Sequence, residues 1–299
     1  MLEGLEIIQE LGQQSQQKIG KVFLCQQLES TQKVIVKQVL KTAKNKRAIE
    51  QIHNERTFNF TLNELHQIID FKEDENYLFL IKKHIEGITL KEYWSKLKKS
   101  ERIVFLIEFF ASIVPLFNFL NAENIVHNDI KPSNFIVNNV NGKLVVSLID
   151  FGLAIRKNEK STRKTLFPLG FASPELLLNQ LDIVDQRSDI FALGITIFNL
   201  VTNRLPFHHS NPSIYTNLQI THPLPGAREI QQDLFEVIQK CCVKHPFKTA
   251  PNLMQKEHVQ NHLQEAINLR YQTIEELQLA INELKEFESI SQRLKRIFS

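Results

Sequence analysis

Apolar and polar positions alternate along the start of the chain in the manner of β-strands. A helical pattern interrupts this alternation from Asn45 to His66. The first 85 residues therefore predict an antiparallel five-stranded sheet with one helix. The predicted strands are Leu5 to Leu11, Ile19 to Gln26, Lys33 to Val39, Gln67 to Phe71 and Tyr77 to Ile81.

Beyond Gly87 the apolar positions recur mainly at helical spacing. A polar segment at about 247–266 interrupts the last helices, and its sequence suggests no function. The fold class is therefore α+β, with a small sheet-containing part over 1–84 and a larger, mainly helical part over 85–299. The predicted helices cover about 89–98, 101–123, 188–203, 229–243 and 273–295.

One apolar stretch, Ile103 to Leu120, approaches the length needed to cross a bilayer. It contains Glu108, Pro115 and Asn118, and polar sequence follows it at once. We therefore expect a helix buried in a protein core and no membrane span.

Composition excludes few functions. The 299 residues suffice for a sizeable core without metals or disulfides. The net charge of +3, from 36 basic and 33 acidic residues, suggests neither nucleic acid nor acidic lipid as a partner. The three cysteines form no C-x-x-C spacing, and MLEGLEIIQEL does not resemble a signal peptide. We expect a cytoplasmic protein, although an effector secreted into a host cytosol would have the same features.

The segment FIVNNVNGKLVVSLI predicts a hairpin, because Asn141-Gly142 favours a turn in which both residues have positive φ. Such a hairpin would bring Asn134 and Asp150 together at its open end. Amide and carboxylate oxygens are ligands suited to magnesium. The sequence therefore predicts a magnesium site at these two residues.

Upstream of the hairpin lies HNDIKPSN, in which Asp129 precedes Lys131 by two residues and Asn134 by five. A carboxylate there can accept a hydroxyl proton, and a lysine can stabilise a phosphoryl group that gains negative charge. Simpler interpretations exist for single residues. His127 can be a packed core histidine, and Asp150-Phe151-Gly152 an ordinary turn.

Together these segments resemble the H-x-D-x-K-P-x-N loop and D-F-G motif of protein kinases. RYQTIEEL, from Arg270, is similar to the closing helix of the bacterial eukaryotic-like (Hanks-type) serine/threonine kinases. The resemblance implies a bilobal fold with an N-lobe over 1–84 and a C-lobe over 85–299. It also implies transfer of phosphate from ATP, with Mg²⁺, to a protein serine or threonine. By resemblance Asp129 is the catalytic base, Lys131 contacts the transferred phosphate, and Asn134 and Asp150 hold the metal.

The same resemblance implies a nucleotide site in the first lobe. Lys37 would grip the phosphates and pair with Glu55, although Glu50 and Glu64 lie on the same predicted helix. The backbone of Lys83 and Ile85 would bind adenine. The other residues expected to contact the nucleotide are Gly12, Gly20, Val22, Ile35 and Ile136.

Two structural pairings follow from the resemblance. Gly170 to Glu175, GFASPE, would end the activation segment, and Arg270 would pair with Glu175. Asp189 would lie on a buried helix and brace the catalytic loop. A buried aspartate needs hydrogen-bond donors whatever its role.

The chain also departs from the family pattern. The loop LGQQSQQKIGKV lacks a middle glycine, Ile35 stands where alanine is usual, and Lys82 stands at the back of the adenine pocket. These departures keep open a pseudokinase that binds nucleotide or acts as a scaffold. A small-molecule kinase of related fold is a further alternative, although such enzymes generally lack a segment like FASPE.

Two further departures concern the residue before Asp129 and the activation segment. Asn128 replaces the arginine that binds a phosphorylated activation loop, so we expect activity that does not depend on phosphorylation there. Pro168 stands where a threonine commonly touches the catalytic aspartate. The available hydroxyl groups are those of Ser161, Thr162 and Thr165.

Overall fold

The structure is a computed structural model that describes residues 3–11, 20–157, 167 and 169–284. The chain forms two compact units. The first unit is Met1–Gly87 with Ser147–Leu153, and the second unit is Ile88–Val146 with Ala154–Ser299. The predicted lobe boundary after residue 84 stays a prediction. Some predicted features lie outside the described residues: Gly12 with the loop that follows it, Ser161, Thr162, Thr165 and Pro168.

The first unit contains the predicted antiparallel sheet, whose five strands pair in the order β1-β2-β3-β5-β4. One helix, α1 (Lys46–Glu55), follows the third strand. The α+β class and the strand positions are confirmed. The strands are β1 (Leu5–Leu11), β2 (Gly20–Gln27), β3 (Lys33–Leu40), β4 (Ile68–Glu73) and β5 (Tyr77–Lys83).

Alternating side chains of this sheet enter two apolar clusters. One cluster lies on β2, β3 and β5 and includes Cys25, Val34 and Ile81. The other includes Leu78 and Leu80 of β5 and also Ile52 of α1. Because Ile52 is fully buried in this second cluster, α1 is packed on the sheet by its apolar side.

The prediction of a helix continuing to His66 is wrong, because α1 ends at Glu55. Beyond it Phe58 and Phe60 are buried while their neighbours are exposed, which is an extended pattern. Leu148, distant in sequence, donates its backbone N–H to the carbonyl of Glu64 at 2.8 Å. Pairing with a remote segment therefore replaces the helical hydrogen bonds here.

The second unit is mainly helical and also contains two small sheets, of order β6-β8-β9 and β10-β7. Its strands are β6 (Ile88–Thr89), β7 (Ile125–Val126), β8 (Phe135–Val140), β9 (Lys143–Leu148, ending in the first unit) and β10 (Ile155–Arg156). Its helices are α2 (Leu90–Lys96), α3 (Arg102–Ala122), α4 (Pro174–Leu177), α5 (Gln186–Thr202), α6 (Pro212–Thr221), α7 (Gln232–Cys241), α8 (Lys256–Asn268) and α9, described over 274–284.

Three of these helices, the short α4 and also α6 and α8, were not predicted. Asn211 is the N-cap of α6, and its side chain accepts hydrogen bonds from the N–H groups of residues 213 and 214. Pro212 is the first residue of the helix, a position that favours proline. Helix α8 occupies the polar segment, which is therefore not simply an interruption. It buries Val259, Leu263 and Ile267, spaced four residues apart on one face. Its high polar content concealed that narrow apolar stripe.

Helix α3 corresponds to the apolar stretch, and side chains such as Phe109, Phe110 and Ile113 are buried in the second unit. Within the described ranges it belongs to one segment, 99–122, that is long and apolar enough to cross a membrane by length and composition alone. The absence of a membrane span stays a prediction.

The predicted hairpin is present. Strands β8 and β9 are neighbours in one sheet, and residues 141 and 142 between them have φ of 54° and 81°. Positive φ at both positions is what an Asn-Gly turn provides. The β8–β9 hairpin predicted from the Asn-Gly dipeptide is therefore confirmed.

Helices α5 and α7 approach closely at Gly194. A Cβ atom at this position would lie 2.6 Å from Cβ of Cys241 and 2.7 Å from Sγ of Cys242. Both cysteines are buried, so neither can move into solvent. Glycine is needed here because of the distance between the two helices.

We predict that Gly194→Ala lowers the free energy of unfolding by about 1–3 kcal/mol, because the methyl group overpacks this contact. Urea denaturation measures the change. Gly226→Ala is the matched control, since a Cβ there meets nothing within 4 Å, and it should leave stability nearly unchanged. Equal stability of the two variants would contradict the prediction.

Candidate active site

In the first unit, Lys37 of β3 pairs with Glu55 at the end of α1. Lys37 Nζ lies 2.6 Å from Glu55 Oε2 and also 3.1 Å from Asp150 Oδ1. The choice of Glu55 over its neighbours agrees with this contact, because Glu50 is exposed and Glu64 lies beyond the helix. The Lys37–Glu55 ion pair is thus present, and its role toward phosphates stays a prediction.

Glu55 has a second cationic partner that the sequence did not indicate. Lys82 of β5 binds the other carboxylate oxygen, Oε1, through its ammonium group. The ring of His66 is also near, with Nδ1 3.7 Å from Oε1. His66 Nε2 lies 2.7 Å from the carbonyl of Phe58, which requires a proton on Nε2. The imidazole thus contacts Glu55 through its other nitrogen.

These contacts set the protonation of the buried groups. Burial alone would raise the pKa of Glu55, but the ammonium groups of Lys37 and Lys82 outweigh burial and lower it below its ordinary value. Burial opposes the charge on Lys37, yet Asp150 and Glu55 raise its pKa above the ordinary lysine value. The side chains of Lys37 and Glu55 are therefore both ionised.

The Asp150-Phe151-Gly152 triplet lies in the first unit and packs against the segment after α1. Phe151 is fully buried, and its ring centroid lies 4.7 Å from that of Phe60 and 4.9 Å from that of His66. Asn54 Nδ2 donates to the carbonyl of Gly152 at 3.1 Å. The backbone of Asp150 has a positive φ of 69°, in the left-handed region that residues other than glycine seldom adopt. The triplet is thus fixed by specific contacts and is more than a solvent-exposed turn.

In the second unit, Asp129 lies in the loop between β7 and β8. Its Oδ2 accepts from Lys131 Nζ at 2.7 Å and from Asn134 Nδ2 at 2.9 Å. The residue is only 6% exposed, so these two donors hold an almost buried carboxylate. The predicted base, the predicted phosphate-contacting lysine and one predicted metal ligand are brought together here.

The hydrogen bonds of Asn134 determine which of its atoms is available to a metal. Its Nδ2 donates both to Oδ2 and to the backbone carbonyl of Asp129. The amide oxygen therefore points away from these acceptors, and the Ser133 hydroxyl lies 3.5 Å from it. This oxygen and the carboxylate of Asp150, in the first unit, are both of the hard donor type that fits magnesium. The metal site itself stays a prediction.

Asp189 of α5 holds the backbone that precedes Asp129. Its two carboxyl oxygens accept from the N–H groups of His127 and Asn128, both at 2.8 Å. Burial raises the pKa of Asp189 to about 7, and the two N–H donors oppose this rise. The predicted bracing by Asp189 is confirmed as a contact. His127 is fully buried and its Nδ1 accepts from the N–H of Asp129, so it is also the packed histidine of the simpler interpretation.

A second buried ion pair joins Glu175 of α4 to Arg270, two residues after the end of α8. Arg270 Nη1 lies 2.6 Å from Glu175 Oε1, and Nη2 lies 3.0 Å from Oε2. Ser188 also donates to Oε1. Both charged side chains have no exposed area, and the guanidinium outweighs burial to lower the pKa of Glu175. The predicted pairing is confirmed and is bidentate.

The other residues predicted to contact the nucleotide lie on several different strands. Gly20 and Val22 lie on β2 and Ile35 on β3, where Val22 is opposite Lys37 and Ile35 opposite Lys82. Lys83 ends β5. Ile85 follows it, and Ile136 lies on β8 in the second unit. Their roles stay predictions.

Sequence reasoning missed the parts played by Lys82, His66 and Asn54. One signal was available, because Lys82 directly follows the apolar run YLFLI of the predicted strand Tyr77 to Ile81. A lysine in such a place needs an acidic partner. His66 and Asn54 gave no comparable signal, since their partners are backbone groups that only the folded chain brings near.

The five-stranded sheet with its helix, the helical second unit and these two sets of charged residues define a kinase-like fold. A family model described as "Protein kinase domain" matches residues 5–262, and the chain belongs to the protein kinase family.

Several curated relatives are serine/threonine kinases by name. The chain is 28% identical to "Serine/threonine-protein kinase PrkC" of Bacillus subtilis (strain 168) over 190 residues, which are 60% of this chain and 28% of that protein. It is 28% identical over 179 residues to "Serine/threonine-protein kinase PknB" of Mycobacterium tuberculosis (strain ATCC 25177 / H37Ra), covering 56% and 27% respectively. It is 25% identical over 255 residues to "Serine/threonine-protein kinase ULK3" of Xenopus laevis, covering 83% and 53%. The chain thus spans between about a quarter and about a half of these relatives.

We predict that Glu175→Gln lowers the free energy of unfolding by roughly 3–5 kcal/mol, because it leaves the Arg270 guanidinium buried without a counter-charge. Denaturant unfolding measures the loss, and adding Arg270→Met should recover part of it. Glu229→Gln is the control, since Glu229 and Arg204 form an exposed pair 3.8 Å apart, and should cost less than about 1 kcal/mol. Equal losses for the two glutamate variants would refute the prediction.

A pH effect is expected from His66. Burial, together with the Lys82 ammonium, lowers the pKa of His66 to about 4, whereas Glu55, the Phe58 carbonyl and Asp150 act in the opposite direction. An unfolded histidine has a pKa near 6.5, so between these values the unfolded chain binds a proton that the folded chain excludes. The free energy of unfolding should therefore fall by up to about 3 kcal/mol as pH falls from about 6.5 to 4.

Urea titrations at several pH values test this effect in wild type and in His66→Gln, which should lose the histidine part of the slope. His258→Gln, an exposed histidine of α8, should keep it. Identical slopes in wild type and His66→Gln would show that the prediction is wrong.

Proposed function

We propose that this chain is an active serine/threonine protein kinase that transfers the γ-phosphoryl group of ATP to a protein hydroxyl. The observation that carries the proposal is the almost buried Asp129 carboxylate, held by Lys131 and Asn134 in a loop whose backbone is bound by Asp189. A carboxylate fixed in this way is pre-positioned to orient a hydroxyl group and accept its proton.

Each candidate side chain has a separate task in this proposal. Asp129 accepts the proton of the attacking serine or threonine hydroxyl. Lys131, whose ammonium lies 2.7 Å from Asp129, stabilises the negative charge on the transferred phosphoryl group. Lys37, oriented by Glu55, binds the α- and β-phosphates. Positioning and electrostatic stabilisation supply most of the catalysis in this reaction class.

Asn134 and Asp150 supply the protein oxygens for magnesium, which when bound neutralises phosphate charge. Gly12, Gly20, Val22, Ile35 and Ile136 form the apolar and backbone surroundings of the nucleotide, and the backbone of Lys83 and Ile85 binds its base. The family membership supports ATP and Mg²⁺ as the cofactors.

The hydroxyl acceptor is proposed to be on a protein. Two observations support this choice. Several curated relatives are named serine/threonine-protein kinases, and the segment GFASPE is anchored through Glu175 and Arg270. We place the reaction in a reducing cytosol, consistent with three cysteines that are all free and buried.

A pseudokinase that binds nucleotide or serves as a scaffold is the second candidate. The loop LGQQSQQKIGKV, which lacks a middle glycine, and Ile35, which stands where alanine is usual, favour it. The full set of Lys37, Asp129, Asn134 and Asp150 favours catalysis instead.

We predict that Asp129→Asn lowers phosphate transfer by about 10²- to 10⁴-fold, because the amide cannot accept the hydroxyl proton. The measurement is incorporation of ³²P from [γ-³²P]ATP with Mg²⁺, into the chain itself and into a serine- and threonine-rich protein. Asp70→Asn, an exposed residue of β4, is the control and should keep wild-type transfer.

Other outcomes separate the candidates. Thermal stabilisation by Mg²⁺ and ATP without any transfer would indicate the pseudokinase. Phosphorylation of sugars or aminoglycosides in preference to protein would indicate a small-molecule kinase. Undiminished transfer by Asp129→Asn would overturn the role given to Asp129.

A further inference from the structure

Lys82 is a charged side chain in an otherwise apolar strand. It lies on β5 among buried residues such as Leu80 and Ile81, and only 8% of it is exposed. An ammonium group is rarely placed there unless it is paired, because removing it from water is costly. Its ion-pair partner within the described part of the chain is Glu55.

Glu55 divides its two oxygens between two lysines. Oε2 contacts Lys37 and Oε1 contacts Lys82, and the glutamate side chain has no exposed area. His66 adds no positive charge near neutral pH, because burial and the neighbouring Lys82 ammonium disfavour the imidazolium and lower the pKa of His66 to about 4. Glu55 therefore depends on these two ammonium groups for its neutralisation.

The two lysines are not equivalent. Lys37 also lies 3.1 Å from Asp150, and its side chain is 19% exposed, so it is shared and reachable. Lys82 is directed to Glu55 from the neighbouring strand. When Lys37 turns toward a phosphate, Glu55 loses part of its counter-charge, and Lys82 remains to hold it. The buried Glu55 carboxylate then keeps one ammonium partner and is not left unpaired.

We propose that Lys82 is a positioning residue for phosphate transfer: it holds Glu55, and through Glu55 the end of α1, while Lys37 engages the phosphates of ATP. This inference rests on the proposed kinase function for its catalytic part. The contact with Glu55 itself does not depend on that function.

Other contacts fix α1 and make the test feasible. Ile52 is packed in an apolar cluster with Leu78 and Leu80, and Asn54 donates to the carbonyl of Gly152. Replacing Lys82 by the apolar Met should therefore loosen the C-terminal end of α1 without unfolding the unit. Lys72→Met is the matched control, because Lys72 is an exposed lysine of the adjacent strand β4, 3.6 Å from an exposed carboxylate.

Steady-state kinetics on the full chain give the first readout. Lys82→Met should lower kcat by about 10- to 100-fold with a smaller change in the KM for ATP, because a misplaced Lys37 harms the transition state more than binding. Lys82→Arg, which keeps the charge, should recover part of kcat, and Lys72→Met should match wild type. Wild-type kcat in Lys82→Met, or a loss that Lys82→Arg does not recover at all, would overturn the proposal.

Hydrogen exchange of the backbone amides of α1 gives a second readout that needs no turnover. Exchange over residues 46–55 should be faster in Lys82→Met than in Lys37→Met, where Lys82 still holds Glu55. The reverse order, or unchanged exchange in Lys82→Met, would contradict the proposal. If wild type transfers no phosphate, the proposed function fails while this measurement still decides whether Lys82 holds α1.

Discussion

Among the described residues, the carboxyl groups that lie away from water include those of Glu55, Glu175 and Asp189, and the segments around these three are arranged to supply cations or N–H donors. A buried carboxylate without such partners is far more costly than any exposed ion pair is favourable. Each group therefore forces distant parts of the chain to meet, and the candidate catalytic residues are positioned by those meetings.

The same constraint has a different result in each unit. In the first unit, Glu55 joins α1 to two strands, because Lys37 and Lys82 come from β3 and β5. In the second unit, Asp189 holds the backbone before Asp129, and the Asp129 carboxylate contacts Lys131 and Asn134. Structural ion pairs and candidate catalytic groups are thus adjacent, and a change in one is expected to alter the other.

Sequence patterns predicted the parts of the fold that depend on local chemistry. Alternation located all five strands of the first sheet, and Asn141-Gly142 located the hairpin turn. Sequence patterns gave wrong or incomplete predictions where contacts between distant residues determine the local structure. The segment from Phe58 to His66 had a helical pattern but pairs with Leu148 instead. Helix α8 was hidden because its apolar face is narrow.

By itself the sequence determined the residue types of the candidate site and the spacing among Asp129, Lys131 and Asn134, because these lie within a few residues of one another. The family resemblance, carried by short motifs, was also available without coordinates. Only the tertiary structure decided that Glu55 is shared by Lys37 and Lys82. The physical reason is that residues 37, 55 and 82 meet through strand pairing and helix packing, and no local pattern shows which buried charges neutralise each other.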